Sequence, residues 1–137
     1  MRKITKTLAA ILLIAILSMT SITSFASSEG VSPRLSHMSD GAFTFSATAD
    51  GGYIDVEYEG YSSFVRADLT VKIEKRFLLV FWKDVTTWSV SSTEIEGHFY
   101  DTLPLDGSGT YRATFTLLIT GNDGTVDTIE STIESDY

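Results

Sequence analysis

The stretch Leu103–Thr120, LPLDGSGTYRATFTLLIT, decides the fold class of this chain. From Tyr111 the odd positions run Tyr111, Ala113, Phe115, Leu117 and Ile119, while the even ones run Arg112, Thr114, Thr116, Leu118 and Thr120. Successive side chains of a strand point to opposite faces, so this alternation reads as a half-buried strand of an antiparallel sheet. Ahead of it, Asp106-Gly107-Ser108-Gly109 cannot continue a strand and supplies the positive-φ chemistry of a turn.

Working outward, the same period recurs. Phe43, Phe45 and Ala47 alternate with hydroxylated residues, and Ala49-Asp50-Gly51-Gly52 is a tight hairpin turn. Ile54, Val56 and Tyr58 then share a face opposite Tyr53, Asp55, Glu57 and Glu59. After a loop at 60–64, Val65, Ala67, Leu69, Val71 and Ile73 alternate with charged or hydroxylated residues, which marks one solvated side. A strand-like pattern covers Val85–Val90, a short strand lies around His98-Phe99-Tyr100, and Pro104 suits its end. Gly121-Asn122-Asp123-Gly124 turns the chain into a last strand with Val126, Ile129 and Ile133 as its apolar points. Its acidic residues discourage edge-to-edge association. Seven or eight strands with regular turn signals and no helical period predict an all-β, antiparallel sandwich.

The N-terminus has a different character. Arg2, Lys3 and Lys6 precede the apolar run Leu8–Leu17, and Ser24-Phe25-Ala26 offers small residues where a signal peptidase reads. Ten apolar residues are too few for a membrane-spanning helix, which takes about twenty. Residues 1–26 therefore read as a cleavable secretory signal peptide, 27–41 as a flexible leader and 42–137 as the sandwich domain, exported with no transmembrane segment. The signal holds three of the ten basic residues and none of the eighteen acidic ones, leaving seven against eighteen and a net charge of −11. That balance excludes nucleic acid as a partner, because a phosphate backbone would be repelled. No cysteine is present, so the core must hold without the disulfides common in small secreted domains.

An acidic turn, then glycine, then a tyrosine entering a core strand resembles the tyrosine corner of immunoglobulin-like sandwiches, which makes Tyr111 a structural residue. The sandwich lacks the two cysteines of a true immunoglobulin domain, and Val71 stands near where its tryptophan would fall. A wider resemblance rests on Val31-Ser32-Pro33-Arg34, Ile73-Glu74-Lys75, Trp82-Lys83-Asp84-Val85-Thr86-Thr87-Trp88 and Gly109-Thr110-Tyr111-Arg112, in that order. Together they resemble a group of small secreted proteins of Gram-positive bacteria that share a domain of unknown function. The resemblance implies an Ig-like β-sandwich and no known activity, hence no functional residues to carry over. One departure stands out: that group usually has a polar turn before the first tryptophan, where this chain has Phe77–Phe81.

No catalytic or cofactor motif is present. Of the two histidines, His37 falls in the leader and His98 in a strand beside Phe99 and Tyr100, neither in a nucleophile–base pattern. No cluster has the ligand spacing of zinc, and the Asp/Asn/Gly turns lack the twelve-residue pattern of a calcium loop. The chain reads as a non-enzyme with no metal and no cofactor.

Recognition remains, and aromatic residues are its best candidates: Tyr53, Tyr58, Tyr61, Trp82, Trp88 and Tyr100. If Trp82–Trp88 is one unbroken strand, its even spacing puts both indoles on one face, about 20 Å apart at about 3.3 Å per residue. Exposed, they would make a carbohydrate-binding module for cell-wall glycans; buried, they are core. Phe77-Leu78-Leu79-Val80-Phe81-Trp82 is apolar on both faces of a strand, more than a two-layer sandwich uses up. The contact surface expected here comprises Phe77, Leu79, Phe81, Trp82 and Trp88, meeting a protein or glycan partner or a second copy through 77–88. A membrane-active or antimicrobial role is the remaining alternative, disfavoured by the acidic charge.

Overall fold

The alternation around Tyr111 becomes the middle of a seven-stranded, two-sheet architecture in the computed structural model, which describes residues 35–137. The strands are β1 (Met38–Thr48), β2 (Gly51–Gly60), β3 (Phe64–Phe77), β4 (Phe81–Ser92), β5 (Glu96–Leu103), β6 (Thr110–Gly121) and β7 (Val126–Asp136). One sheet has the order β1-β2-β5 and the other β4-β3-β6-β7. Every pairing is antiparallel. The expected signal peptide, 1–26, and most of the expected leader lie outside the described residues.

The core is the space between the two sheets. Tyr111, Ala113, Phe115, Leu117 and Ile119 of β6 are wholly buried, as are Ala67, Val71 and Ile73 of β3 and Ile54 and Val56 of β2. Phe43 of β1 meets Phe115 across the sheets, ring centroids 5.5 Å apart. Tyr58 fills one end, packed on Phe64 and Phe99. Its neighbour across the ladder is Gly97, where a Cβ would fall 2.0 Å from Tyr58 Cε1. The bare glycine lets the ring lie flat and donate its hydroxyl to the Glu94 carbonyl at 2.8 Å.

At the other end, the Tyr111 hydroxyl donates to the Gly107 carbonyl. The loop it closes holds Gly107 at φ 66° and Gly109 at φ 150°, conformations glycine takes at least cost. Lys75 sits over the Tyr111 ring and donates to the Asp106 carbonyl. Strand and turn of the quoted stretch are thus tied together by one phenol.

Three expectations change. The leader does not run to residue 41, because β1 starts at Met38 and both His37 and Met38 are buried. Val65 is exposed although it shares a parity with Ala67, because the register of β3 against β6 shifts between Phe64 and Arg66. The third change concerns the tryptophans and belongs to the site.

Candidate functional site

The run Phe77–Trp82 is neither one strand nor core. It is the tip of the β3–β4 hairpin, with Phe77 opposite Phe81, Arg76 opposite Trp82, and Leu78-Leu79-Val80 as the turn. β6 flanks β3 only as far as Lys75↔Tyr111, so the last two rungs and the turn project beyond it. The five apolar tip residues are strongly exposed, from 56% at Phe77 to 85% at Leu79. Leu78 and Leu79 also carry positive φ values of 49° and 68°. Hairpin turns of that conformation ordinarily use Asn-Gly or Gly-Gly, since the left-handed region costs other residues about 1–2 kcal/mol each. A soluble hairpin would place polar, glycine-containing chemistry here. This one places two strained leucines in water.

The two indoles part company. The β3–β4 register shifts between Ile73 and Glu74, so that Ile73 faces Thr86 while Glu74 faces Asp84. The extra residue on β4 is a β-bulge, which resets the facing of everything beyond it. Trp88, opposite Val71, packs against the core. Trp82, opposite Arg76, lies on the outer face, where the Arg112 guanidinium stands 4.2 Å from its ring centroid and that of Arg76 5.1 Å. The single-face pair expected from even spacing does not form, and Trp88 is corrected from contact surface to core packing. Phe77, Leu79, Phe81 and Trp82 are brought together at the tip.

Beneath Trp82 a charged network braces the hairpin. Arg112 donates through Nε at 2.9 Å and Nη2 at 2.7 Å to Oε2 of the buried Glu74. Lys72 bridges Glu74 at 3.3 Å and Asp84 at 2.9 Å. Its bonds to Asp84 and then Glu74 hold its ammonium protonated above the usual lysine range. Arg76 reaches Glu134 on β7 at 3.2 Å.

Two histidine clusters show what sequence reading missed. His37 is 3% exposed, its Nδ1 2.8 Å from Ser63 Oγ and its Nε2 2.6 Å from Thr125 Oγ1. Asp127 accepts from the backbone amides of Ser36 and His37. Asp123 receives the Thr125 hydroxyl and amide, which hold its carboxyl below the ordinary range. With both ring nitrogens engaged and its faces buried, His37 is a latch fixing the first strand to the β2–β3 and β6–β7 turns, not a base awaiting a substrate. His37→Ala is expected to cost about 1–3 kcal/mol, with faster amide exchange over residues 36–40 and little change in β6.

On the outer face of the small sheet, Asp55, Glu57 and His98 place ligand atoms within 4.8 Å of one another. His98 Nε2 is 2.9 Å from Asp55 Oδ1, and the Tyr53 hydroxyl donates to Asp55 Oδ2 at 3.2 Å. Loss of solvent and then Asp55 push the Tyr53 phenol up. The ring of Tyr100 lies 5.1 Å from that of His98. The three ligands could hold a divalent cation in an open, solvated set, whereas structural zinc is closed by four. Beside them a shallow depression of about 480 Å³ is lined by Asp40, Glu57, Glu59 and Glu96 among others, and is acidic. Of the other tyrosines singled out in the sequence, Tyr58 is core and Tyr61 is an exposed loop residue.

Fold and site together define an antiparallel two-sheet β-protein that presents one projecting apolar hairpin from an otherwise acidic surface. No protein-family model, curated protein or solved structure matches the chain.

Proposed function

We propose that this is a secreted, non-catalytic β-sandwich of immunoglobulin-like arrangement that acts by binding, with the β3–β4 tip as its contact segment. Export would follow cleavage after Ala26. The sheet orders β1-β2-β5 and β4-β3-β6-β7, with the Tyr111 hydroxyl closing the turn before β6, support the immunoglobulin-like arrangement. One observation carries the binding reading: Phe77-Leu78-Leu79-Val80-Phe81 stays exposed in the folded domain, on a backbone strained at two of the five positions. Large exposed apolar patches mark interaction sites, and stored strain collects where a ligand is met. A glycan platform has less support, because it needs two coplanar exposed indoles and Trp88 packs against the core.

The test is retention of the purified protein on Gram-positive cell envelopes. Phe77→Ser, Leu79→Ser and Phe81→Ser should each remain folded, within about 0.5 kcal/mol of the parent as is usual for surface positions, and each should lower retention severalfold. Parental retention by all three variants refutes the tip as contact segment. Unfolding of all three would instead show that the run is core.

A further inference from the structure

We propose that the β3–β4 hairpin is a surface anchor for anionic lipid, seating its apolar apex in the membrane interface beneath a collar of basic side chains. The inference rests on the reading of the tip as the contact segment and names what it contacts.

The order of chemistry along the hairpin carries it. Read from the apex, the layers are Leu78-Leu79-Val80, then the Phe77↔Phe81 rung, then Arg76↔Trp82, then Lys75↔Lys83. Apolar, aromatic-cationic and cationic layers follow one another as acyl chains, interface and headgroups do in a leaflet. Tryptophan favours the middle layer because its ring is apolar and its N–H polar. The projecting part is two rungs and a turn, roughly 10 Å at about 3.3 Å per residue. Apolar faces that lie in a membrane interface reach about 5–10 Å deep. That depth also stops short of the hydrocarbon centre, where an open hairpin could not satisfy its backbone.

Charge placement points the same way. Among the described residues the cationic side chains are Arg66, Lys72, Lys75, Arg76, Lys83 and Arg112, and all but Arg66, which sits at the far end of β3, lie on the tip half of this hairpin or the adjoining rung of β6. Glu74 pairs with Lys72 and Arg112, Asp84 with Lys72 and Glu134 with Arg76, whereas Lys75 and Lys83 have no carboxylate partner among the described residues. Five cations against three carboxylates leave this end of the hairpin at +2, so the rest of residues 27–137 carries −13, of which Asp106 and Asp136 lie at the tip end of the sheet. β3 has fourteen residues, so Glu94, Glu96 and Asp123 at the opposite end stand tens of ångströms from the tip at about 3.3 Å per residue. The Debye length is about 8 Å in physiological salt, so those carboxylates are screened from a surface that the collar touches. The acidic body then sets orientation, with the tip toward the membrane and the rest away.

A second copy fits the tip less well. The acidic depression beside His98 would match the collar, yet it is shallow and ringed by Asp40, Glu57, Glu59 and Glu96, carboxylates that Leu78–Phe81 would have to be buried against. The strained turn separates anchoring from folding experimentally. Leu78→Asn combined with Leu79→Gly supplies the residues this turn conformation prefers and removes two of the exposed side chains.

The experiment is co-sedimentation of the full protein with phosphatidylcholine vesicles, with and without phosphatidylglycerol. Emission is followed in a Trp88→Phe background, so that Trp82 reports alone. Binding to mixed vesicles only, a blue shift of Trp82, and release by salt are expected. The Leu78→Asn/Leu79→Gly protein, verified as folded by its melt, should partition at least about a hundredfold less. Lys83→Glu, a change of two charges, should bind the mixed vesicles roughly thirtyfold less. Undiminished partition of the tip variant, or no partition of the parent, overturns the proposal. If vesicle binding is absent while envelope retention remains tip-dependent, the lipid assignment falls and the contact segment stands. A tip-dependent dimer without vesicle binding likewise overturns the lipid assignment, in favour of a second copy. Loss of both retention and vesicle binding from the start removes the reading beneath it as well.

Discussion

Tyr111→Ala is expected to lower the stability of the domain by about 3–5 kcal/mol. The ring is fully buried at the start of β6, just after the 104–109 loop that its hydroxyl holds. Removing it opens a cavity among close-packed neighbours and frees the Gly107 carbonyl that the hydroxyl satisfies. Domains of this size are stable by about 5–15 kcal/mol in total. At about 4 °C or more per kcal/mol, the thermal midpoint should fall by roughly 15 °C. Tyr111→Phe separates the two contributions, since it keeps the ring and loses only the hydroxyl, at about 1 kcal/mol. Urea melts of the three proteins, with unchanged slopes and ordered midpoints, would check it. Equal losses for the Phe and Ala variants would show that the hydroxyl, and not the ring, holds this corner.

The period-2 pattern was legible because it is local. Tyr111–Ile119, Ile54–Tyr58 and Ala67–Ile73 bury the side they present in sequence, and strands with that pattern, separated by turn signals, are what a two-sheet architecture needs. What escaped was fixed by how strands pair, not by the pattern within one strand. The bulge that turns Trp82 out and Trp88 in exists only in the register of β4 against β3. Asp55, Glu57 and His98 meet because β2 pairs with β5, and their spacing along the chain carries no signal. His37 looked like leader because its partners, Ser63, Thr125 and Asp127, are remote and polar, and so add no hydrophobic period near it. The tip was the hardest to read. Its turn is made by leucines, which rarely adopt positive φ, so the residues that would announce a turn were absent and an apolar run stood in their place.

That same substitution of leucine for turn residues leads to the second large effect, which runs against the usual direction. Removing the most apolar exposed side chains should make the domain more stable. Leu78 and Leu79 sit at φ 49° and 68° with at least two-thirds of their surface in water, so folding gains little from burying them and loses about 1–2 kcal/mol of backbone energy at each. Asn at 78 tolerates the left-handed region, and Gly at 79 occupies it freely, although Gly gives back roughly 0.5–1 kcal/mol through the greater freedom of its unfolded chain. The net expectation for Leu78→Asn/Leu79→Gly is a gain of about 1–3 kcal/mol and a thermal midpoint higher by roughly 4 °C or more. An unchanged or lower midpoint would mean the leucines make contacts that offset their strain, and the hairpin would then have a structural reason for its sequence. A higher midpoint together with lost binding would mean that stability is given up at this one turn for the sake of what the leucines touch. Natural chains sit only just above the stability they need, and the recurrent place for such a trade is the site that meets a partner.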